Sequence, residues 1–257
     1  MSSKSDREKR FIESLLLKAG LCALRYFDSG LEVTRKGDGS PVTEADKEVE
    51  SLIRAAITQE FPADGILGEE GVDVEGGGRR WIIDPIDGTM NFSRGIPLFS
   101  ILLALEEDGE IIAGGIYNPV WEDLFVAVAG AGAFKNGERL HISKRTRLED
   151  ALVAFGGPDR MVEKGLWSQL GAVVGSTYRQ RGYGDYLGFA YVFEGRAEAN
   201  IEVDLKPWDL APMKVLVEEA GGVYRDFAGG SSIYQGSCIV GNSEIVSGLE
   251  EILLGGG

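Results

Sequence analysis

The chain has 257 residues, 44% hydrophobic and 26% charged, which is enough apolar side chain to bury a sizeable core and excludes disorder over most of its length. Its 26 Lys and Arg against 41 Asp and Glu leave a net charge of −15, which disfavours nucleic acid and anionic membrane as partners and leaves carboxylates to spare for hard cations. A single histidine, His141, argues against paired-histidine zinc sites and Ser-His-Asp triads, and the two cysteines, Cys22 and Cys238, form no CxxC pair.

The polar start MSSKSDREKR carries no apolar signal core, and no apolar run approaches the roughly 18 residues of a membrane span. A soluble, cytoplasmic protein is expected. Helical spacing of Phe11, Ile12, Leu15, Leu16, Ala19, Ala23 and Phe27 predicts a helix over 6–28, closed by Asp28-Ser29-Gly30. LEVTRKGDGSPVT then reads as a loop or hairpin. A second helix is expected from Thr43, with Asp46 three residues on as in a capping box. Strands are predicted at 65–68, 81–83, 100–106, 111–117 and 123–129; the 81–83 strand is stopped by Asp84-Pro85. EEDGE and KNGER read as hairpin turns, and His141 as a residue on a surface strand. Further strands are expected at 152–155, 177–181, 197–202, 222–226 and 238–241, with helices at 162–174, 184–194, 207–220 and 243–254. The alternation predicts an α/β layered sandwich. Both cysteines read as small buried hydrophobes.

Three acidic clusters stand where elements end: Gly68-Glu69-Glu70, Asp84-Pro85-Ile86-Asp87-Gly88-Thr89 and Trp208-Asp209. Any one of them alone reads most simply as a solvated turn. The middle cluster differs because it follows Trp81-Ile82-Ile83 directly, so both aspartates sit at the mouth of a strand beside backbone N–H groups free to meet an anion. Carboxylate and carbonyl oxygens suit Mg²⁺, with substrate phosphate filling the remaining positions. Asp87-Gly88-Thr89 also echoes the DxDGT loop of aspartyl-phosphate phosphatases, but Pro85 stands where their nucleophile is required.

WIIDPIDGTMNF closely resembles the signature of the inositol monophosphatase superfamily, and VTEAD, GEE, WDLAP and EEAGG extend the resemblance over about residues 10–255. The resemblance implies a layered αβαβα fold, with an N-terminal α+β half over 1–145 and a C-terminal α/β half over 146–257, and a Mg²⁺-dependent phosphomonoesterase acting on a small-molecule phosphate. It implies that Glu69, Asp84 and the Ile86 carbonyl hold one Mg²⁺ and that Asp84, Asp87 and Asp209 hold a second. Glu70 is the lesser candidate of the GEE pair. Asp46 becomes an outer-shell or third-metal residue. Gly88 and Thr89 give backbone N–H groups to the phosphate, and Thr89, with Asp46 or Glu69 behind it, helps orient or deprotonate the attacking water. Lys36 resembles a family lysine near the metal loop, or is a solvated loop lysine. Dimers are common in the family, so a homodimer is an expectation.

For substrate choice, Asp185 in GYGDYLG is similar to the histidinol-phosphate phosphatases of the superfamily, because a carboxylate there can pair with an ammonium. Glu202 stands where the family places a substrate-contacting acid, and Tyr183 either lines the same pocket or packs against another ring. Inositol 1-phosphate and fructose 1,6-bisphosphate are the alternative substrates, and a non-catalytic regulator is the alternative role. The intact acidic set argues for catalysis.

Overall fold

In the computed structural model, residues 3–27, 34–35 and 41–255 are described. Helix α1 (Ser3–Leu24) ends four residues before its expected stop, because tighter bonds from Arg25 and Tyr26 N–H to Cys22 and Ala23 carbonyls close its last turn. A short antiparallel pair, β1 (Thr34–Arg35) and β2 (Pro41–Val42), leads to α2 (Glu44–Glu60). Lys36 lies outside the described residues. Thr43 is the α2 N-cap, and its N–H donates to the Asp46 carboxylate at 2.8 Å, as the capping-box pattern predicts.

The first sheet has seven strands in chain order. β3 (Gly65–Gly68) is parallel to β4 (Arg79–Asp87); the helical turn α3 (Thr89–Ser93) follows. An antiparallel meander then runs through β5 (Ser100–Glu107), β6 (Glu110–Asn118), β7 (Asp123–Val128), β8 (Gly132–Lys135) and β9 (Glu138–Arg139). The two expected hairpin turns form at Asp108-Gly109 and Asn136-Gly137, both residues of each pair at positive φ, the geometry that matches strand twist. His141 lies beyond β9 in an exposed irregular segment, which corrects its expected place on a strand.

The second sheet is built from β10 (Leu152–Phe155), β11 (Arg179–Gly182), β12 (Ala199–Glu202), β13 (Val223–Asp226) and β14 (Cys238–Gly241), in the order β11-β10-β12-β14-β13. Its helices are α4 (Pro158–Glu163), α5 (Trp167–Ser176), α6 (Asp185–Phe193), α7 (Pro207–Glu219) and α8 (Ser243–Leu254). The single helix expected over 162–174 is thus two, divided by Gly165 at φ 71.

Burial alternates along the central strands and defines the layers. Trp81, Ile83, Leu103 and Leu105 join Ile12, Leu16, Val49 and Ile53 of α1 and α2. Ile82, Leu102 and Ala104 face the other way, in one core with Phe189 and Phe193 of α6, Leu210 and Met213 of α7, and Cys238 and Val240 of the second sheet. Val153, Ile201 and Ile239 pack against Leu170, Val173, Val246 and Leu249 of α5 and α8. The result is the expected αβαβα sandwich, with α6 and α7 as the middle layer. Each fully buried Leu or Phe there contributes about 1.5–3 kcal/mol, so the starts of α6 and α7 are firmly anchored. Both cysteines are buried. Among the described residues no helix is long and apolar enough to cross a membrane.

Candidate active site

Sequence reasoning ends the buried strand at Asp84, but β4 continues to Asp87 through a bulge: Asp84 pairs with Leu102 and Asp87 with Ser100, so the Pro85-Ile86 side carries an extra residue. Proline has no N–H to leave unpaired there. The Ile86 N–H donates instead to Asp84 Oδ1 at 3.0 Å, and the Ile86 carbonyl accepts the Thr89 hydroxyl at 3.1 Å. Gly88 then turns the chain at φ 85, ψ 39, where a Cβ would press within 3.0 Å of the Leu98 carbonyl. One bulge and one glycine therefore bring two carboxylates together, with α3 starting just beyond them.

Asp209 completes the cluster from the first turn of α7, where its Oδ2 accepts the Lys206 N–H at 2.8 Å. Asp84, Asp87 and Asp209 each offer an oxygen, and all three oxygens lie within 4.8 Å of one another. Asp84 is buried and the other two half-buried. No Lys or Arg forms an ion pair with Asp84 or Asp87 among the described residues. Glu69, whose N–H reaches the Ile83 carbonyl at 3.3 Å, stands beside Asp84 within side-chain hydrogen-bonding reach. Burial, then the charges of Glu69, Asp87 and Asp209, push the Asp84 carboxyl well above the carboxylate range; burial, then Asp185 and Asp209, do the same for Asp87. The all-oxygen donors of such a set could hold a hard divalent ion.

Thr89 is buried and its hydroxyl also reaches Asp46 Oδ1 at 3.2 Å, so Asp46 rather than Glu69 is the carboxylate behind it. Burial raises the Asp46 carboxyl, opposed by hydrogen bonds from Thr43 and Thr89. On the other side a cavity of about 160 Å³ is lined by Asp87, Arg160, Asp185, Glu202 and Asp209 together with apolar residues. Asp185 is not the N-cap of α6: that place belongs to Gly184. Asp185 is the first helical residue, held at φ 45, and its Oδ2 accepts the Asn91 amide at 2.6 Å. The next N–H, of Tyr186, donates to Asp87 at 2.9 Å. Burial lifts Asp185 to about 6, against the pull of Arg160 and Asn91. Glu202 at the end of β12 is 2% exposed and lifted to about 8 by burial, against Arg160 and Asn200. Tyr183 packs edge-on against Tyr191, their ring centroids 4.8 Å apart.

Sequence reasoning missed two contributors. Asn91 lies within the quoted WIIDPIDGTMNF stretch, but nothing local says that its amide reaches a residue 94 positions on. Arg160, whose guanidinium lies 3.6 Å from Glu202, carries no local signal at all.

A layered sandwich that clusters three carboxylates beside a cavity, with a buried threonine bonded to the same turn, defines the class: a phosphatase with an acidic cluster able to bind a metal ion. The chain belongs to the inositol monophosphatase family, whose model matches residues 6–253. It is 39% identical over 246 residues to the inositol-1-monophosphatase of Rhizobium meliloti (strain 1021), covering 93% of this chain and 92% of that protein. It is 40% identical over 225 residues to the histidinol-phosphatase of Chlorobaculum parvum (strain DSM 263 / NCIMB 8327), covering 87% of each. The crystal structure of extragenic suppressor protein suhB from Bartonella henselae matches with a TM-score of 0.89 at 37% identity, covering 96% of this chain and 98% of that one.

The electrostatics yield a stability prediction. Without metal, burial and like charges lift the Asp84 and Asp87 carboxyls above the range in which the unfolded chain releases its protons. The native state then binds more protons than the unfolded state, so stability falls as pH rises, with Glu202 extending the window towards about 8. Melting in EDTA is expected at a lower temperature at about pH 8 than at about pH 5, with Mg²⁺ restoring more at the higher pH. Asp84→Asn should shrink the pH-dependent drop. A melting temperature that climbs over this range means that burial does not raise these carboxyls in the folded chain.

Proposed function

We propose that the chain is a Mg²⁺-dependent phosphomonoesterase whose preferred substrate is a small phosphate monoester bearing an amine, with histidinol phosphate as the leading candidate. The observation that carries this reading is the pair of carboxylates, Asp185 and Glu202, in the same cavity as Asp87 and Asp209. An ammonium gains charge-assisted hydrogen bonds there, whereas a hydroxyl gains ordinary ones. The histidinol-phosphatase relative is consistent with it.

Asp84, Asp87 and Asp209, with Glu69 and the Ile86 carbonyl, would hold the metal. When bound, Mg²⁺ supplies charge stabilisation for the phosphoryl oxygens and the leaving alkoxide and lowers the pKa of a water. The chain's own residues do the rest. Gly88 and Thr89 present N–H groups at the start of α3 to the phosphate. The Thr89 hydroxyl, donating to Asp46, has lone pairs to accept a proton from the attacking water, so the proton demand ends on a buried carboxylate. The Tyr186 N–H fixes the Asp87 rotamer, and Asp185 orients the leaving group. No phosphoenzyme is needed, consistent with the single exposed histidine and two buried cysteines.

Inositol 1-phosphate is the second reading, and Arg160 favours it. By drawing on the Glu202 charge, the guanidinium leaves that carboxylate better suited to a hydroxyl than to an ammonium. Comparing kcat/KM for histidinol phosphate, inositol 1-phosphate and fructose 1,6-bisphosphate, with and without Mg²⁺, decides between them. An outright preference for inositol 1-phosphate removes the amine selectivity, and absence of phosphate release with all three removes the whole proposal.

Asp209 gives a second test. Asparagine can still accept the Lys206 N–H, and burial already penalises the Asp209 charge, so Asp209→Asn should cost the metal-free fold no more than the roughly 0.3–1 kcal/mol of the helix dipole. As a metal ligand, its loss should raise the half-saturating Mg²⁺ concentration by about tenfold or more. A Mg²⁺ titration of the rate that overlays the wild type leaves only the capping role.

A further inference from the structure

Glu50, on α2, is 2% exposed and lies behind the loop that carries Glu69. Its Oε2 accepts the Glu70 N–H at 2.7 Å, and its Oε1 accepts the Gly71 N–H at 2.8 Å and Arg54 Nε at 2.6 Å. Arg54, one turn further along α2, donates through Nη1 to the Val72 carbonyl at 2.9 Å. Two side chains on one helix thus hold three successive residues of a loop with little sheet pairing: β3 ends at Gly68, and the Glu69 N–H makes a last bond to β4.

The loop is built for this approach. A Cβ on Gly71 would lie 2.6 Å from Arg54 Nε, and one on Gly68 would collide with the Glu50 carboxylate and the Arg54 guanidinium. The glycine that ends β3 and the glycine after Glu69-Glu70 are therefore both required for contact with α2. The anchor matters because Glu69 stands at the head of this loop beside Asp84, so the bonds that fix residues 70–72 also set where the Glu69 carboxylate lies.

We infer that Glu50, braced by Arg54, is a positioning residue for the metal site: it fixes the 69–72 loop so that Glu69 faces Asp84 before any ion arrives. Mg²⁺ then binds a preformed set of oxygens instead of having to order the loop as it binds. The inference rests on the reading of Glu69 as a metal ligand.

The test combines Glu50→Gln, Arg54→Met and Glu69→Gln in the full chain. Glutamine has one acceptor oxygen where the loop needs two, so Glu50→Gln should raise the half-saturating Mg²⁺ concentration roughly ten- to a hundredfold, as loss of a ligand-orienting partner does. The maximal rate at saturating Mg²⁺ should stay within about threefold. The Mg²⁺-induced rise in melting temperature, read without substrate, should shrink in parallel. Arg54→Met should act in the same direction and more weakly, and it decides the matter if Glu50→Gln does not fold. The double variant Glu50→Gln/Glu69→Gln should need little more Mg²⁺ than Glu69→Gln alone. In the wild type, the amides of Glu70 and Gly71 should exchange slowly in EDTA already. Rapid exchange that slows only with Mg²⁺, or lower melting temperatures with an unchanged Mg²⁺ requirement, overturns the positioning role. An unchanged Mg²⁺ requirement in Glu69→Gln instead overturns the ligand reading beneath it.

Discussion

Replacing Asp84 by Asn is expected to remove nearly all Mg²⁺-dependent phosphate release and, in EDTA, to raise the melting temperature. Asp84 is the one buried member of the three-carboxylate cluster and also the neighbour of Glu69, so every proposed metal position uses it. Several kcal/mol of charge stabilisation at the reacting phosphoryl group corresponds to roughly a thousandfold in rate. The fold should survive, because Asn keeps the oxygen that accepts the Ile86 N–H and so keeps the bulge. The metal-free chain should gain, because burial and three acidic neighbours penalise the Asp84 charge and no Lys or Arg ion pair among the described residues offsets them. Phosphate-release assays at increasing Mg²⁺ and melting curves in EDTA measure the two effects. Turnover close to wild type at moderate Mg²⁺ would falsify the metal assignment at its centre.

The layered fold was legible because its signals are local. The 3.6-residue spacing in α1 and α2, the Asp-Gly and Asn-Gly turns, and the strands 65–68, 152–155 and 238–241 depend on neighbours in the chain. The acidic clusters were legible for the same reason, since Asp84, Asp87 and Thr89 sit within one turn of backbone. What sequence hid is what tertiary packing decides. The strand continues past Asp84 because Leu102 and Ser100 on β5 offer partners on both sides of the bulge. The choice of Asp46 over Glu69 behind Thr89 depends on where α2 packs. Glu50 reads as one more polar residue on a helix until the loop folds back over it, and Arg160 as a surface residue until Glu202 comes up beside it. Even Asp185, which lines the cavity beside Asp87, is not the N-cap that its local sequence suggests: its left-handed backbone and its bond to Asn91 come from α6 meeting α3.

That left-handed backbone determines how the substrate reading should be tested. Alanine at φ 45 adds backbone strain to the loss of charge, whereas asparagine tolerates the conformation and keeps the side-chain shape. Asp185→Asn therefore isolates the charge. If Asp185 pairs with the ammonium of histidinol phosphate, the variant loses a charge-assisted hydrogen bond of roughly 1.5–3 kcal/mol, or about ten- to a hundredfold in kcat/KM. Inositol 1-phosphate, offering only hydroxyls, should change by less than about threefold. The wild-type preference should also grow as pH rises through about 6, where Asp185 ionises, and that growth should be lost in Asp185→Asn. Arg160→Met supplies the opposite arm: without the guanidinium, the one cation among the described residues that lines the cavity, an ammonium has no competitor for Glu202 and should be favoured further at a pH high enough to ionise Glu202, whose pKa Arg160 holds down. Equal losses for both substrates in Asp185→Asn mean that the residue only joins α6 to α3 through Asn91. The phosphatase chemistry would then stand without amine selectivity.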